Sequence, residues 1–475
     1  AGTRRRQRNR CLLGATEGPE LTCRGGAMNR VEGAVAQVQG LCATREDWVQ
    51  LSQALDSTAG GISDWEAPQL DAVLSQLDPR IHAVGFACFL SGRAKLLAGT
   101  DGQDAGFMAY TRRLLIEGDA DQLKFVRIKV QDICEVFTLM CRKSGNTMYG
   151  IRALREGVRK VAPSPDHLTT LHHQLLLLSL LSKCFKPAIE VLESRVVRVT
   201  RDGMQARDVL LFIYYGGMVF AAVKRFDRAL DMLQLAFTMP CHALHEIVVE
   251  IYKKYMLVSL IVHGEVVPLP KYTTSVLQRM LKGCCGAYHE VSTAFATNKV
   301  EEVKVALTKH QAALQQEGNW GLASQAMMSL YSRNIQRLTQ TFATLSLSDI
   351  AKEVCLADAD AAKAQIISMM SRGEIAACID QSKGMACFEA ARVSPSELLQ
   401  RLQTQMRACN DLNDKMRVVD EAISSNSVYL DKVAIQERQS RWGEPAEWAA
   451  AGASTDEMMD IGEKPPGFSA SLGAR

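Results

Sequence analysis

From about Val31 onward, apolar residues recur at steps of three and four, the period of helices with one buried face. Alternating runs bounded by turns are scarce, so a mostly α-helical body is predicted. The longest apolar run, "LLLLSLLSKCF" from Leu175, stops at Lys183 and reads as a buried core helix. Before it, Pro163 and Pro165 break the chain, and Asp166 is the expected N-cap. The stretch "LFIYYGGMVFAAVKRFDRALDMLQLAFTMP" predicts a helical hairpin: one helix over Val209–Val223, a turn at Lys224-Arg225, and a second helix from Phe226 toward Pro240. Gly216 and Gly217 would each cost about 1 kcal/mol against Ala in an isolated helix, so close helix packing must compensate there.

An internal repeat supports stacked hairpins. "FKPAIEVL" (Phe185–Leu192) and "FDRALDML" (Phe226–Leu233) share Phe-x-x-Ala-aliphatic-acid-x-Leu at an offset of 41 residues. That period belongs to helix-turn-helix solenoids, in which each pair buries its apolar face on the next. Gly217, Phe220, Ala229, Ala236 and Pro240 fall near tetratricopeptide offsets. The array is therefore tetratricopeptide-like.

Past Leu307 the pattern changes. "NIQRLTQTFATLSLSDIAKEV" predicts a helix, a break at Ser346–Ser348, and a short helix over Asp349–Val354 capped by Ser348. A longer helix over Ala359–Ser371, ended by Arg372-Gly373, precedes two short strands, "EIAACID" and "GMACFEA", around a Gln381–Gly384 turn. Two helices and a hairpin make a winged helix. From Ser394, as N-cap before Pro395, one long amphipathic helix is expected, with Leu399, Leu402, Met406, Cys409, Leu412, Met416, Val419 and Ile423 forming a near-heptad seam. No second helix is expected after it, so the seam calls for a partner helix from another subunit. The resulting organisation is a leader over 1–27, a helical-repeat array over 28–315, a winged helix over 316–393, a bundle helix over 394–436 and a disordered tail over 437–475, in which Trp442 and Trp448 stand out. The fold class is all-α in the main, a solenoid followed by a small α+β winged helix and a long C-terminal helix.

Composition narrows the function. Hydrophobic residues are 47% and charged residues 23% of 475, near the average of globular domains, which excludes a wholly disordered or fibrous chain. A formal charge of +3 demands no polyanion, and no apolar run reaches the roughly 18–20 residues of a membrane span. The 14 cysteines include no C-x-x-C pair and read as reduced thiols. Residues 1–27 carry six Arg and two Glu without amphipathic periodicity and with almost no Ser, which opposes an organelle transit peptide; Met28 is the expected start.

Candidate chemistry is sparse. The sequence has no phosphate loop, no dinucleotide turn, no nucleophile elbow and no H-E-x-x-H. His242 and His245 share a helical face, and Glu246 or Glu250 would have to turn inward to complete a metal site; groove histidines are the expectation. His172 and His173 point to different sides of one helix. Neither a cofactor, a metal nor a catalytic residue is expected. The second winged-helix helix, "ADADAAKAQIISMMS", holds two Asp and only Lys363, so it would meet DNA phosphates with little positive charge, and protein contact is the better use.

The order of helical array, winged helix and terminal helix is that of PCI domains, shared by the proteasome lid, the COP-9 signalosome and translation initiation factor three. "LLSKCFKPAIEVL", "YYGGMVF", "IYKKYMLVSLIVHGEVVPLPKYT", "YSRNIQRLTQTFATLSLSDIA" and "SRGEIAACIDQSKGMACF" together resemble the third-subunit family of the signalosome, from Leu171 to Phe388 and more faintly from Val31. The resemblance implies a non-catalytic scaffold in the cytoplasm and nucleus. It would support removal of Nedd-eight from cullins, whose cleavage belongs to a separate metalloprotease subunit with an H-x-H and Asp site. Partners would be other signalosome PCI subunits, that metalloprotease subunit, and cullin-RING ligases indirectly, with neither membrane nor nucleic acid. The alternatives are a scaffold of the proteasome lid or of initiation factor three, or a nucleic-acid-binding PCI protein. The implied interface residues are Leu402, Met406, Cys409, Leu412, Met416, Val419 and Ile423 in the terminal bundle. Ile375, Ala377, Ile379, Met385 and Phe388 would lie in or near the winged-helix sheet, where plain core packing is the competing role.

Overall fold

The structure is a computed structural model describing residues 20–57, 65–98, 104–164, 166–194, 198–199, 203–239, 245–271, 273–389 and 395–442. The chain divides into two compact units. The first comprises Ala1–Phe237, Cys241–Val262 and Val276–Cys285; the second holds Thr238–Pro240, His263–Ser275 and Gly286–Arg475.

The first unit is an array of helices: α1 (Glu20–Gly40), α2 (Arg45–Ser57), α3 (Ala67–Gln76), α4 (Ala83–Ala98), α5 (Ala105–Glu117), α6 (Ala120–Phe125), α7 (Arg127–Lys143) and α8 (Met148–Val161). It continues through α9 (Thr170–Leu181), α10 (Lys186–Glu193), α11 (Ala206–Ala222), α12 (Phe226–Gln234), α13 (Glu246–Val262) and α14 (Ser275–Cys284), with a two-residue parallel bridge between β1 (His167–Leu168) and β2 (Arg198–Val199). The expected leader therefore differs from the structure over 20–27, which belong to α1; residues 1–19 lie outside the described residues. Helices pack both on the next in sequence, α8 on α9 and α11 on α12, and across intervening elements, α4 on α7 and α9 on α11. Phe86, Phe89, Phe107 and Phe137 are fully buried in this core. The run from Leu175 is the inner helix α9, with Leu175, Leu176 and Leu178 fully buried.

The repeat is visible in the backbone. Lys183 and Lys224 stand 41 residues apart and both adopt left-handed conformations, with φ of 56° and 62°. Each closes the preceding helix with the same pair of hydrogen bonds. Cys184 N–H donates to Ser179 O at 3.0 Å and Lys183 N–H to Leu180 O at 3.2 Å; Arg225 N–H donates to Phe220 O at 2.9 Å and Lys224 N–H to Ala221 O at 3.0 Å. This six-to-one and five-to-two pairing ends each first helix and starts the second, at Phe185 and Phe226. Ala188 and Ala229, equivalent in the repeat, are both fully buried at the hairpin crossings.

Two expected caps differ. Asp166 lies in the turn before β1 and does not cap α9; Thr169 does, in a reciprocal box in which Thr169 N–H donates to His172 Nδ1 at 3.0 Å. The residue three positions on decides between the two capping-type side chains: only Thr169 places an acceptor, His172, where it can reach back. In the second unit Ser346 rather than Ser348 caps the short helix, accepting from Asp349 N–H at 3.1 Å.

The second unit carries α15 (Gly286–Ala296), α16 (Val300–Lys309), α17 (Gln311–Gln316) and α18 (Trp320–Thr341), then β3 (Thr344–Ser346), α19 (Leu347–Glu353), α20 (Ala359–Ser371), β4 (Ala376–Asp380), β5 (Met385–Glu389), α21 (Pro395–Ser424) and α22 (Ser427–Trp442). Asn319 Nδ2 donates to Tyr288 Oη at 2.7 Å, and that hydroxyl donates to Glu317 at 2.5 Å, tying the foot of α18 to α15. The expected fold class holds throughout: a helical-repeat region precedes a small winged helix and a long terminal helix.

Two outcomes follow from this packing. A Cβ on Gly217 would lie 2.5 and 2.8 Å from Leu233 Cδ2 and Cγ, in the body of a buried side chain, whereas at Gly216 the nearest atom is the flexible tip of Met232 at 2.9 Å. Gly217→Ala should therefore cost about 1–3 kcal/mol, while the helix propensity gained by Gly216→Ala offsets most of its strain; urea unfolding of the two variants measures the contrast. Burial holds the His172 imidazole down to about 4, against 6.5 when unfolded. The unfolded chain then takes up that proton first, so stability is full above about pH 6.5 and declines as pH falls toward 4. His172→Gln keeps an acceptor for Thr169 N–H and removes the titration. It should flatten the fall in unfolding free energy between pH 7 and pH 5 by roughly 1–3 kcal/mol, leaving the part due to His173.

Candidate subunit interface

The winged helix starts where α18 ends. Phe342 N–H closes that helix on Leu338 O at 2.9 Å, and the chain turns directly into β3. β5 lies between β3 and β4, antiparallel to both, with Leu345 opposite Ala386 and Ala386 opposite Ile379. β3 was not expected: three residues are too few for an alternating pattern to register. Gly373, at φ 71°, ends α20 through Glu374 N–H donating to Met369 O at 3.0 Å. The wing turns on Asp380, whose carboxylate accepts from Ser382 N–H at 3.0 Å and Ser382 Oγ at 2.6 Å. The Ser382 hydroxyl holds that carboxyl below the usual range.

The module is locked to α18 through Ser332. Its hydroxyl accepts from Gln365 Nε2 at 2.9 Å and from Arg372 at 3.3 Å, and Arg372 in turn pairs with Glu374 at 2.6 Å. Leu347, Ile350, Ala362, Ile366, Met369 and Ala386 fill the interior. The outward face of α20 presents Asp360, Ile367 and Met370, with Ile367 half-exposed. That face suits an apolar protein contact better than phosphate.

The sheet residues separate into two groups. Ile375 and Phe388 are half-buried and meet in a cleft of about 600 Å³, which Phe342 joins from the end of α18. Ile379 shares their sheet face, as the pairing of Ala377 with Phe388 and Ile379 with Ala386 requires, but it sits farther along β4 and does not line the cleft. Phe342 is 43% exposed and was missed from sequence, where "QTFATLSL" gives a lone aromatic inside a polar segment.

The terminal region differs from the single helix expected over 394–436. α21 ends at Ser424, and Asn426 starts α22 by accepting from Tyr429 N–H at 3.2 Å. A second helix therefore does follow, and it includes residues 437–442 of the expected tail. Ser394 and Trp448 lie outside the described residues, as does His242. α22 leaves the seam uncovered. Leu402, Met406, Cys409, Leu412, Met416 and Val419 are all exposed, Met406 and Met416 by 65% and 60%, and Ile423 is half-buried. From Leu402 to Ile423 the apolar row runs for about 32 Å along a 30-residue helix, far more than isolated surface leucines would produce.

The buried Cys134 and Cys141 thiols are pushed up by burial, Cys141 to about 11, which keeps both as unreactive thiols. Among the described residues, no group of three His, Cys, Asp or Glu side chains is placed to hold a metal ion, and no helix is long and apolar enough to cross a membrane.

Comparison with known proteins bears on the same two regions. Residues 45–277 match the family model described as COP9 signalosome complex subunit 3, N-terminal helical repeats, and residues 307–390 match the PCI domain. The COP9 signalosome complex subunit 3 of Arabidopsis thaliana is 32% identical over 426 residues, covering 88% of this chain and 97% of its own. That of Drosophila melanogaster is 31% identical over 424 residues, covering 85% of this chain and 94% of its own.

Proposed function

The chain belongs to the family of COP9 signalosome complex subunit 3, and on that premise we propose that it is a non-catalytic scaffold of the signalosome, present in cytoplasm and nucleus. Its work is assembly, in support of Nedd-eight removal from cullins by a separate metalloprotease subunit. The winged helix joins neighbouring PCI subunits through its sheet and the Ile375–Phe388 cleft, with Ile379 on the adjoining strand face. α21 enters a helical bundle through Leu402, Met406, Cys409, Leu412, Met416, Val419 and Ile423. Cullin-RING ligases are met indirectly, through the assembled complex.

The observation that carries this reading is the uncovered seam on α21. Its side chains are apolar, recur at steps of three and four and, Ile423 apart, are exposed in the isolated chain; a Leu, Met or Val among them would gain up to about 1.5–3 kcal/mol on full burial. A face of that kind is unfavourable in water and favourable only against other helices. Match to the subunit-3 repeats over residues 45–277, rather than the fold shared by all PCI proteins, favours the signalosome over the proteasome lid and initiation factor three.

Met416→Asp places a carboxylate in the seam, and burying it unpaired costs several kcal/mol. The variant should keep the helical content and unfolding midpoint of the free chain but fail to co-purify with the other subunits in native mass spectrometry. Recovery at normal stoichiometry in a complex with cullin-deconjugating activity would overturn the bundle role of α21.

A further inference from the structure

Two cysteines face each other across the wing. In the pairing of β4 with β5, Cys378 stands directly opposite Cys387, and both are free thiols. Side chains alternate between the two faces of a strand, so this pair projects from the face opposite Ala377, Ile379 and Phe388. That other face carries the fully buried Ala386, whereas Cys378 is exposed and Cys387 half-buried. The two thiols are therefore side by side and open to solvent. Cys284 and Cys285 differ: they adjoin in sequence but divide between surface and core.

The backbone fixes how far apart the pair stands. Phe388 N–H donates to Ala343 O at 2.8 Å and Leu347 N–H to Gly384 O at 2.9 Å, so Phe388 and every second residue before it turn their main-chain groups to β3. Cys387 turns its own to β4 and is the hydrogen-bonded partner of Cys378. Cα atoms in such a pair lie about 5.5 Å apart, inside the roughly 4.4–6.8 Å that a disulfide spans. Their Cβ atoms lie toward the wide end of about 4.5–5.5 Å and must draw in to about 3.5–4.5 Å. The bond is within reach, but it pinches the hairpin. A disulfide that is both strained and solvent-facing is easily reduced again, which separates a reversible pair from a structural cross-link.

We propose that Cys378 and Cys387 form a reversible dithiol site whose oxidant is a low-molecular-weight disulfide such as oxidised glutathione. The exposed Cys378, as its thiolate, attacks one sulfur of the oxidant. The oxidant's S–S bond breaks, a mixed disulfide forms, and the departing thiolate takes up the proton that Cys378 gave up. Cys387, deprotonated in turn, attacks Cys378 Sγ and displaces the second thiol in the same way. Two protein thiols are thus oxidised to one disulfide, and the one disulfide of the oxidant is reduced to two thiols. The wing is then closed by a covalent bond across the turn that Asp380 and Ser382 hold. The pair lies on the face away from Ile375 and Phe388, so the proposal stands whether or not their cleft joins a neighbouring subunit.

Trypsin cuts after Arg372, Lys383 and Arg392, which leaves the two cysteines in separate peptides, 373–383 and 384–392. The full chain is equilibrated with oxidised or reduced glutathione, its remaining thiols are alkylated, and it is digested without reductant for mass spectrometry. Oxidised glutathione should join the two peptides, with loss of two hydrogen atoms, in a chain that stays monomeric under denaturing conditions; reduced glutathione should part them. In Cys387→Ser the attack on Cys378 has no second step, so glutathione retained on Cys378 should exceed that of wild type by about tenfold or more. Cys378→Ser, at the exposed position, should keep the thermal midpoint of the reduced chain and yield no joined peptides. Failure to find the joined peptides within one chain, or glutathione retained on Cys378 equally in wild type and Cys387→Ser, would overturn the proposal.

Discussion

A helical array has no sheet to hold its elements in register, so the position of each helix depends on where the one before it stops. At two hairpins of this chain that stop is a left-handed residue bonded back across the last turn. Lys183 and Lys224 make it at equivalent points of two repeats, and Asn298 and Cys355 adopt the same conformation at helix ends in the second unit. A non-glycine residue held there gives up roughly 1 kcal/mol against Gly. The hydrogen bonds to Ser179 O and Phe220 O, and the burial of Ala188 and Ala229 that the sharp turn permits, offset it. Adjacent hairpins then present equivalent faces, which is what allows α9 to pack on α11 and α11 on α12.

Most of that architecture was legible because a helix writes its buried face into the sequence. The hairpin at Lys224-Arg225, α20 over Ala359–Ser371 and the two wing strands appear within a few residues of where the pattern puts them. Choices between neighbouring residues of similar chemistry were less legible. Asp166 and Thr169 both suit a cap, as do Ser346 and Ser348, and the winner is set by which one reaches a reciprocal partner. The break between α21 and α22 was missed for a related reason. Apolar positions continue through Val428 and Ile435, so the period alone does not register the cap that Asn426 forms.

Candidate contact surface was legible where apolar side chains recur in series. The α21 seam follows from spacing alone, and most of its side chains are exposed in the structure. Ile375 and Phe388 were found as sheet residues, but the cleft they form needed Phe342, which belongs to another element and becomes a neighbour only when β3 pairs with β5. The buried polar positions of α7 and α9 were not legible at all. Gln131, Thr138, Thr170 and Gln174 are ordinary helix residues in the sequence, and only packing deprives their polar atoms of water and partners.

The apolar seam and the buried polar atoms of α7 and α9 place different demands on the free chain. The seam is solvated at low cost per residue, yet its length makes it prone to unspecific association until other helices cover it. The buried polar atoms are harmless to solubility, but each one left unpaired subtracts from stability. Apolar burial grows with area and discriminates weakly, whereas a misfitted hydrogen bond in a buried site is penalised in full. The seam is thus suited to permanent assembly, in which every subunit is present together.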